Sequence, residues 1–156
     1  QGAGMVGLTI LLIIGQASFM KPEVSRVIAA GGAGTWFTFG YLIYLIVGVI
    51  GVAVSAVFYG LGTKFSRILA NLHLILMNVG IAFAAGLLMY VGYVGGAASL
   101  PPDVGGSGLD SGQVHEIIVP FVVPIAVSIL VLTLGTVLGG LGYLLAYRRE
   151  LKPSSF

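Results

Sequence analysis

The sequence has no cysteine. That excludes disulfides, thiolate metal sites, iron–sulfur clusters and cysteine nucleophiles. Charge is scarce too: 8% of the 156 residues are Asp, Glu, Lys or Arg, against roughly 25% in soluble domains. No acidic residue falls inside a long apolar run, where a proton- or cation-coupled transporter would normally need one. Phosphate-binding loops, nucleophile elbows, zinc-protease helices and dinucleotide fingerprints are absent. The net charge of +2 comes from a few residues at segment ends. It reads as membrane topology and not as a nucleic-acid surface.

What fills the chain is hydrocarbon. Hydrophobic residues make up 58% of it, and mean hydropathy is +1.09. No soluble fold of this length could bury that much apolar surface, so the sequence predicts an integral membrane protein. Runs of about 18 or more apolar residues can span the hydrocarbon core. Four are present, near 3–20, 36–61, 69–95 and 117–147. The expected fold is all-α, an integral membrane four-helix bundle forming one domain over residues 1–156. The last three spans should tilt or extend beyond the bilayer. The first is short, carries Gly15, Gln16 and Ser18 near its end, and reads as a retained signal anchor. Since the first residue is Gln1 and not Met, further residues or a processed leader are expected before it.

The connections differ in character. Residues 21–35 hold Lys21, Pro22, Glu23, Arg26 and a glycine-rich stretch, and 62–68 form a tight basic turn with Lys64 and Arg67. Residues 96–116 form the one substantial loop, flexible by composition, and the tail carries Arg148, Arg149 and Lys152. The positive-inside rule then places a multi-pass protein in the cell membrane. Both termini are cytoplasmic and the 96–116 loop is extracytoplasmic. Aromatic residues mark the boundaries: Trp36, Phe37, Tyr90 and Tyr93 outside, Phe58, Tyr59, Tyr143 and Tyr147 inside.

In lipid, small residues mark the faces where helices meet. The fourth span carries Ser128, Gly135, Gly139, Gly142 and Ala146 as one stripe. The second carries Gly40, Gly48, Gly51 and Ser55, and Gly80 and Ala84 continue the His73–Met77 face of the third. A compact bundle follows, with the second and third spans as a tight hairpin. Pro120 and Pro124 fall in the first turns of the fourth span, where proline is tolerated, and Pro124 is placed to bend it.

His73 is the one ionisable side chain well inside a span. A six-coordinate haem needs two axial ligands, and a copper centre typically two or three imidazoles or carboxylates. Met77, one turn away on the same helix, cannot reach the opposite face of a haem that His73 ligates. The residues therefore favour a packed, hydrogen-bonded histidine. Asp103, Asp110, His115 and Glu116 have metal-ligand chemistry but no metal-site spacing, and read as a solvated loop. His115 and Glu116 are also placed to cap the fourth helix. Asn71 and Asn78 share a helix face and are suited to interhelical hydrogen bonds.

The stretch Gly34-Thr-Trp-Phe-Thr-Phe-Gly-Tyr41 through Phe58-Tyr59, followed by Ser66-Arg-Ile-Leu-Ala-Asn-Leu-His-Leu74 to Gly80, resembles small four-helix membrane proteins related to haem–copper oxidase subunit I. The resemblance covers residues 34–96. Such relatives carry a histidine in the preceding helix, where this chain has Phe37-Thr-Phe-Gly-Tyr41. Only His73 is carried over. The resemblance implies a reduced relative serving a larger membrane oxidoreductase. In composition the chain is also similar to small subunits of archaeal respiratory or copper monooxygenase complexes, ammonia monooxygenase among them.

The leading expectation is a non-catalytic structural or accessory subunit of a respiratory-oxidase or copper-monooxygenase type of complex. Its helices would pack through Gly48, Gly51, Ser55, Gly80, Gly135, Gly139 and Gly142. Its partners would be other membrane subunits and lipids, with no nucleic acid. No cofactor is expected in isolation; haem or copper at His73 would need ligands supplied by a partner. The alternatives are an electron-transfer protein holding haem or a metal at His73, or a small oligomeric channel or carrier using Gln16, Asn71, His73 and Asn78.

Overall fold

A long apolar chain in lipid has to satisfy its backbone hydrogen bonds internally, and helices do so within each segment. The computed structural model describes residues 20–61 and 65–151, and every regular element among them is helical. A short helix, α1 (Val24–Ala29), precedes three long ones: α2 (Gly34–Leu61), α3 (Arg67–Ser99) and α4 (Ser111–Leu151). All three long helices are long and apolar enough to cross a membrane. With 33 residues in α3 and 41 in α4, they run about 50 and 60 Å. Both therefore exceed a hydrocarbon core of about 30 Å. The predicted first span, 3–20, lies outside the described residues apart from Met20.

Glycine sets the helix register. Helices α3 and α4 are antiparallel, with Gly95 against Ile118, Gly80 against Leu132, Met77 against Gly135, His73 against Gly139 and Leu69 against Gly142. Helix α2 runs antiparallel to α3, with Gly34 against Gly96, Phe37 against Gly92, Gly40 against Ala85 and Leu88, and Gly48 against Ile81. A methyl group at Gly40, Gly80 or Gly92 would overlap backbone of the facing helix. Lipid tails are as apolar as the helices, so close approach is what favours association.

The core concentrates toward the end that holds the 100–110 loop. Leu88, Val91, Ala98, Val114, Ile118 and Ile125 form one buried cluster, and Tyr44, Ile81 and Ala85 form a second. Residues 21–35, expected as a connection, contain α1, because Val24 and Val27 bury completely there, Val27 against Gly34 and Gly96.

The predicted 96–116 loop is also shorter than its composition suggested. Helix on both sides leaves only residues 100–110 between α3 and α4. The Gln113 N–H donates to Asp110 Oδ1 at 2.9 Å, and Gln113 Oε1 accepts from the Asp110 N–H at 3.1 Å. This reciprocal cap starts α4 early. At the other end, the Leu109 N–H donates to Ala98 O at 2.9 Å and the Gly108 N–H to Leu100 O at 2.8 Å. Carbonyls that α3 leaves open are thereby closed. Gly105 and Gly108 turn the chain with φ of 92° and 67°.

Two expectations change as a result. Asp110, and not His115 or Glu116, caps α4; the latter two are exposed in its second turn. Pro120 and Pro124 lie in the helix interior and not in its first turns.

Helix α2 is not uniform. Tyr44–Gly51 is π-helical, between α-helical Gly34–Ile43 and Val52–Leu61. The last of these stretches buries no residue. It leaves a cleft against α3 and α4 at the end opposite the 100–110 loop.

Candidate functional site

His73 stands in the second turn of α3, on the face that also buries Met77, Gly80 and Ala84. Its ring lies on Gly139, where any Cβ would strike it. Nδ1 is 2.7 Å from Gly135 O. A carbonyl oxygen only accepts, so Nδ1 carries the proton and donates. One turn along, the Thr136 hydroxyl lies 3.2 Å from Met77 Sδ and 3.0 Å from Leu132 O. His73 and Met77 thus both connect α3 to α4.

The other ring nitrogen looks toward α2. Nε2 is 3.4 Å from Ser55 Oγ, while the Ser55 hydroxyl donates to Gly51 O at 2.8 Å. Behind this pair lies a cleft of about 450 Å³. Its lining includes Val47, Gly51 and Ser55 from α2, His73 from α3, and Thr136 and Gly140 from α4. Aromatic rings stand along it. Phe58 meets Tyr143 at 5.0 Å between centroids, Tyr59 meets Phe65 at 4.8 Å, and Phe65 meets Tyr143 at 6.1 Å. A second cleft of about 190 Å³ lies beside Asn78, and Ser55, Tyr59, His73 and Met77 line both.

The chemistry this arrangement supports is narrow. With Nδ1 engaged by a carbonyl, His73 has one nitrogen left to offer, and this chain brings no second imidazole to it. His115 is on the exposed outer turn of α4, at the far end of the α3–α4 register. Among the described residues no three His, Asp or Glu side chains gather as a metal group. Asp103 lies in a short 3₁₀ turn, Pro102–Val104, and Asp110 is engaged as a cap.

No family model, curated protein or solved structure matches the chain. Nothing in those comparisons links it to haem–copper oxidases or monooxygenases. The site is read from its own geometry.

Of the glycines expected at helix contacts, Gly48 packs on Ile81 and on Tyr44 of its own helix. Gly80, Gly135 and Gly139 sit at close approaches, and Gly142 makes ordinary contact with Leu69. Ser55 reaches His73. Gly51 does not meet a neighbouring helix: its near neighbours are Ile46 and Val47, and it lines the cleft. The π-helical stretch explains this, since a wider turn shifts the helical phase between Gly48 and Gly51.

Among the described residues Asn78 does not bridge helices either. Its Nδ2 donates to Leu74 O at 2.7 Å on its own helix, and Asn71 is exposed. Gln16 lies outside the described residues. The Gly135 carbonyl as the partner of His73 had no sequence signal beyond the glycine stripe that brings the backbones together.

Proposed function

We propose that this chain is a non-catalytic subunit of a larger membrane complex in which His73 ties helices together. The observation that carries the reading is the seating of that ring. It is 7% exposed, lies against Gly139 and donates to Gly135 O. An imidazole fixed this way fastens α3 to α4 and has limited freedom to ligate.

Unfilled small-residue positions add support. Gly60 and Gly86 are exposed, and a methyl group at each would meet open space. Lipid makes no demand for glycine at such places, whereas a neighbouring helix does. The oxidoreductase context rests on the resemblance of residues 34–96. The orientation, with both termini cytoplasmic, rests on the positive-inside rule applied to Arg67, Arg148 and Arg149 at one end, and to Lys64 and Lys152, which lie next to them in sequence but outside the described residues.

Purification from native membranes in mild detergent tests the reading. Other membrane subunits are expected to migrate with this chain at fixed stoichiometry. Migration as a free monomer would overturn it. A Soret band in the intact assembly that His73→Ala removes would instead favour electron transfer.

A further inference from the structure

In the His73 cleft, the Ser55 hydroxyl proton lies between two acceptors. Because Nδ1 donates to Gly135 O, Nε2 of the neutral ring is an acceptor. The polar neighbour of Nε2 is Ser55 Oγ, at 3.4 Å, and the Ser55 proton already has Gly51 O at 2.8 Å. An O–H···N hydrogen bond of 3.4 Å is long. Among the described residues, the Nε2 lone pair is therefore left without a short donor.

We infer that this cleft binds a membrane-dissolved molecule carrying a phenolic hydroxyl, which donates to His73 Nε2. The hydroxyl supplies Nε2 with a shorter donor than Ser55 gives at 3.4 Å. The ring is placed among Phe58, Tyr59, Phe65 and Tyr143, whose own pairings run edge-on or tilted. Aromatic rings favour such arrangements. Gly51, Gly139 and Gly140 keep the wall flat.

No ionised side chain lines the cleft among the described residues, which selects a neutral ligand. Val54 and Phe58 on its rim are exposed, so entry is sideways from the bilayer. A volume of about 450 Å³ holds one substituted ring with a short alkyl tail and lies within the ordinary range for ligand sites.

The test uses the full chain in lipid nanodiscs with ¹⁵N-labelled imidazoles. The sequence has two histidines, so the His73 signals are those missing from His73→Phe. The probe is 4-hexylphenol. Its control, 4-hexylanisole, keeps the ring and tail but has no proton to donate. The phenol is expected to shift the Nε2 resonance saturably, and the anisole to bind roughly tenfold more weakly.

Gly140→Leu fills the cleft from a position that has open space. It should abolish saturation while leaving the unfolding curve unchanged. Equal binding of phenol and anisole, full affinity in Gly140→Leu, or no saturable shift would each overturn the inference. No partner subunit is needed, so the outcome is separate from that of the native purification.

Discussion

The two ends of the bundle are built on different terms. Toward the 100–110 loop, α1, α2, α3 and α4 converge. Glycines at 34, 92 and 96 bring backbones together, and Val24, Val27 and Val91 are at most 1% exposed. Toward the other end, Val52–Leu61 buries nothing. There α3 and α4 still meet closely at Gly135, but between α2 and α3 a serine and a histidine stand at a long contact where the first end has backbone against backbone. The change falls at the π-helical turns 44–51. Such turns alter helical phase and recur at functional sites. The lesson is that close packing and an open, largely apolar cleft are alternative uses of one helix pair, separated by a local change in winding.

The sharpest way to break the comparison is to fill a glycine at the packed end. Gly92→Leu places a Cβ into the backbone of Phe37, and backbone cannot yield as a side chain can. The expected loss is about 3 kcal/mol, the upper part of the usual overpacking range, read from SDS-induced unfolding in mixed micelles. At the open end Gly51→Ala meets Ile46 O and Val47 only at ordinary contact distances, so the same measurement should move by less than about 1 kcal/mol. Equal losses at the two positions would show that the ends are not packed differently.

A smaller effect is expected from His73→Phe, which keeps a flat ring on Gly139 but removes the bond to Gly135 O. Interhelical hydrogen bonds in membranes average below 1 kcal/mol because the unfolded helices find other partners. The loss should be about 1 kcal/mol, and Ser55→Ala should cost still less because its contact with His73 is long. A loss of several kcal/mol in His73→Phe would mean that the ring supports far more than one helix contact.

Much of this arrangement was legible in the sequence. Apolar length gave the three described spans, since in lipid a long apolar run has few alternatives to helix. Glycine spacing on α4 anticipated the face at Gly135, Gly139 and Gly142, because small residues allow close approach wherever two helices meet. The early start of α4 was readable as well, from Asp110 and Gln113 in capping-box spacing. It was obscured by the Gly-, Pro- and Ser-rich composition around them. The π-helical stretch had no such signature: Tyr44–Gly51 is as apolar as its neighbours, and a uniform helical phase wrongly carried Gly51 onto the contact face. The cleft followed from that shift, and so it too was invisible to spacing. Asn78 shows a different limit. Its amide satisfied itself on Leu74 O, a local option that competes with any partner helix.

The smallest expected effect concerns a glycine that packs on nothing. Gly86 lies on the exposed side of α3 with open space where its Cβ would be. Among the described residues nothing calls for glycine there: alanine should be tolerated and should add up to about 1 kcal/mol through helix propensity. A face meant only for lipid would also accept leucine. A face meant for a partner helix would not, because leucine holds the two backbones apart. Gly86→Leu is therefore expected to leave the isolated chain's unfolding unchanged while reducing the share of the native complex that survives mild detergent. If both the unfolding and the complex are unaffected, this side of α3 faces lipid, and any partner must be sought along Gly60.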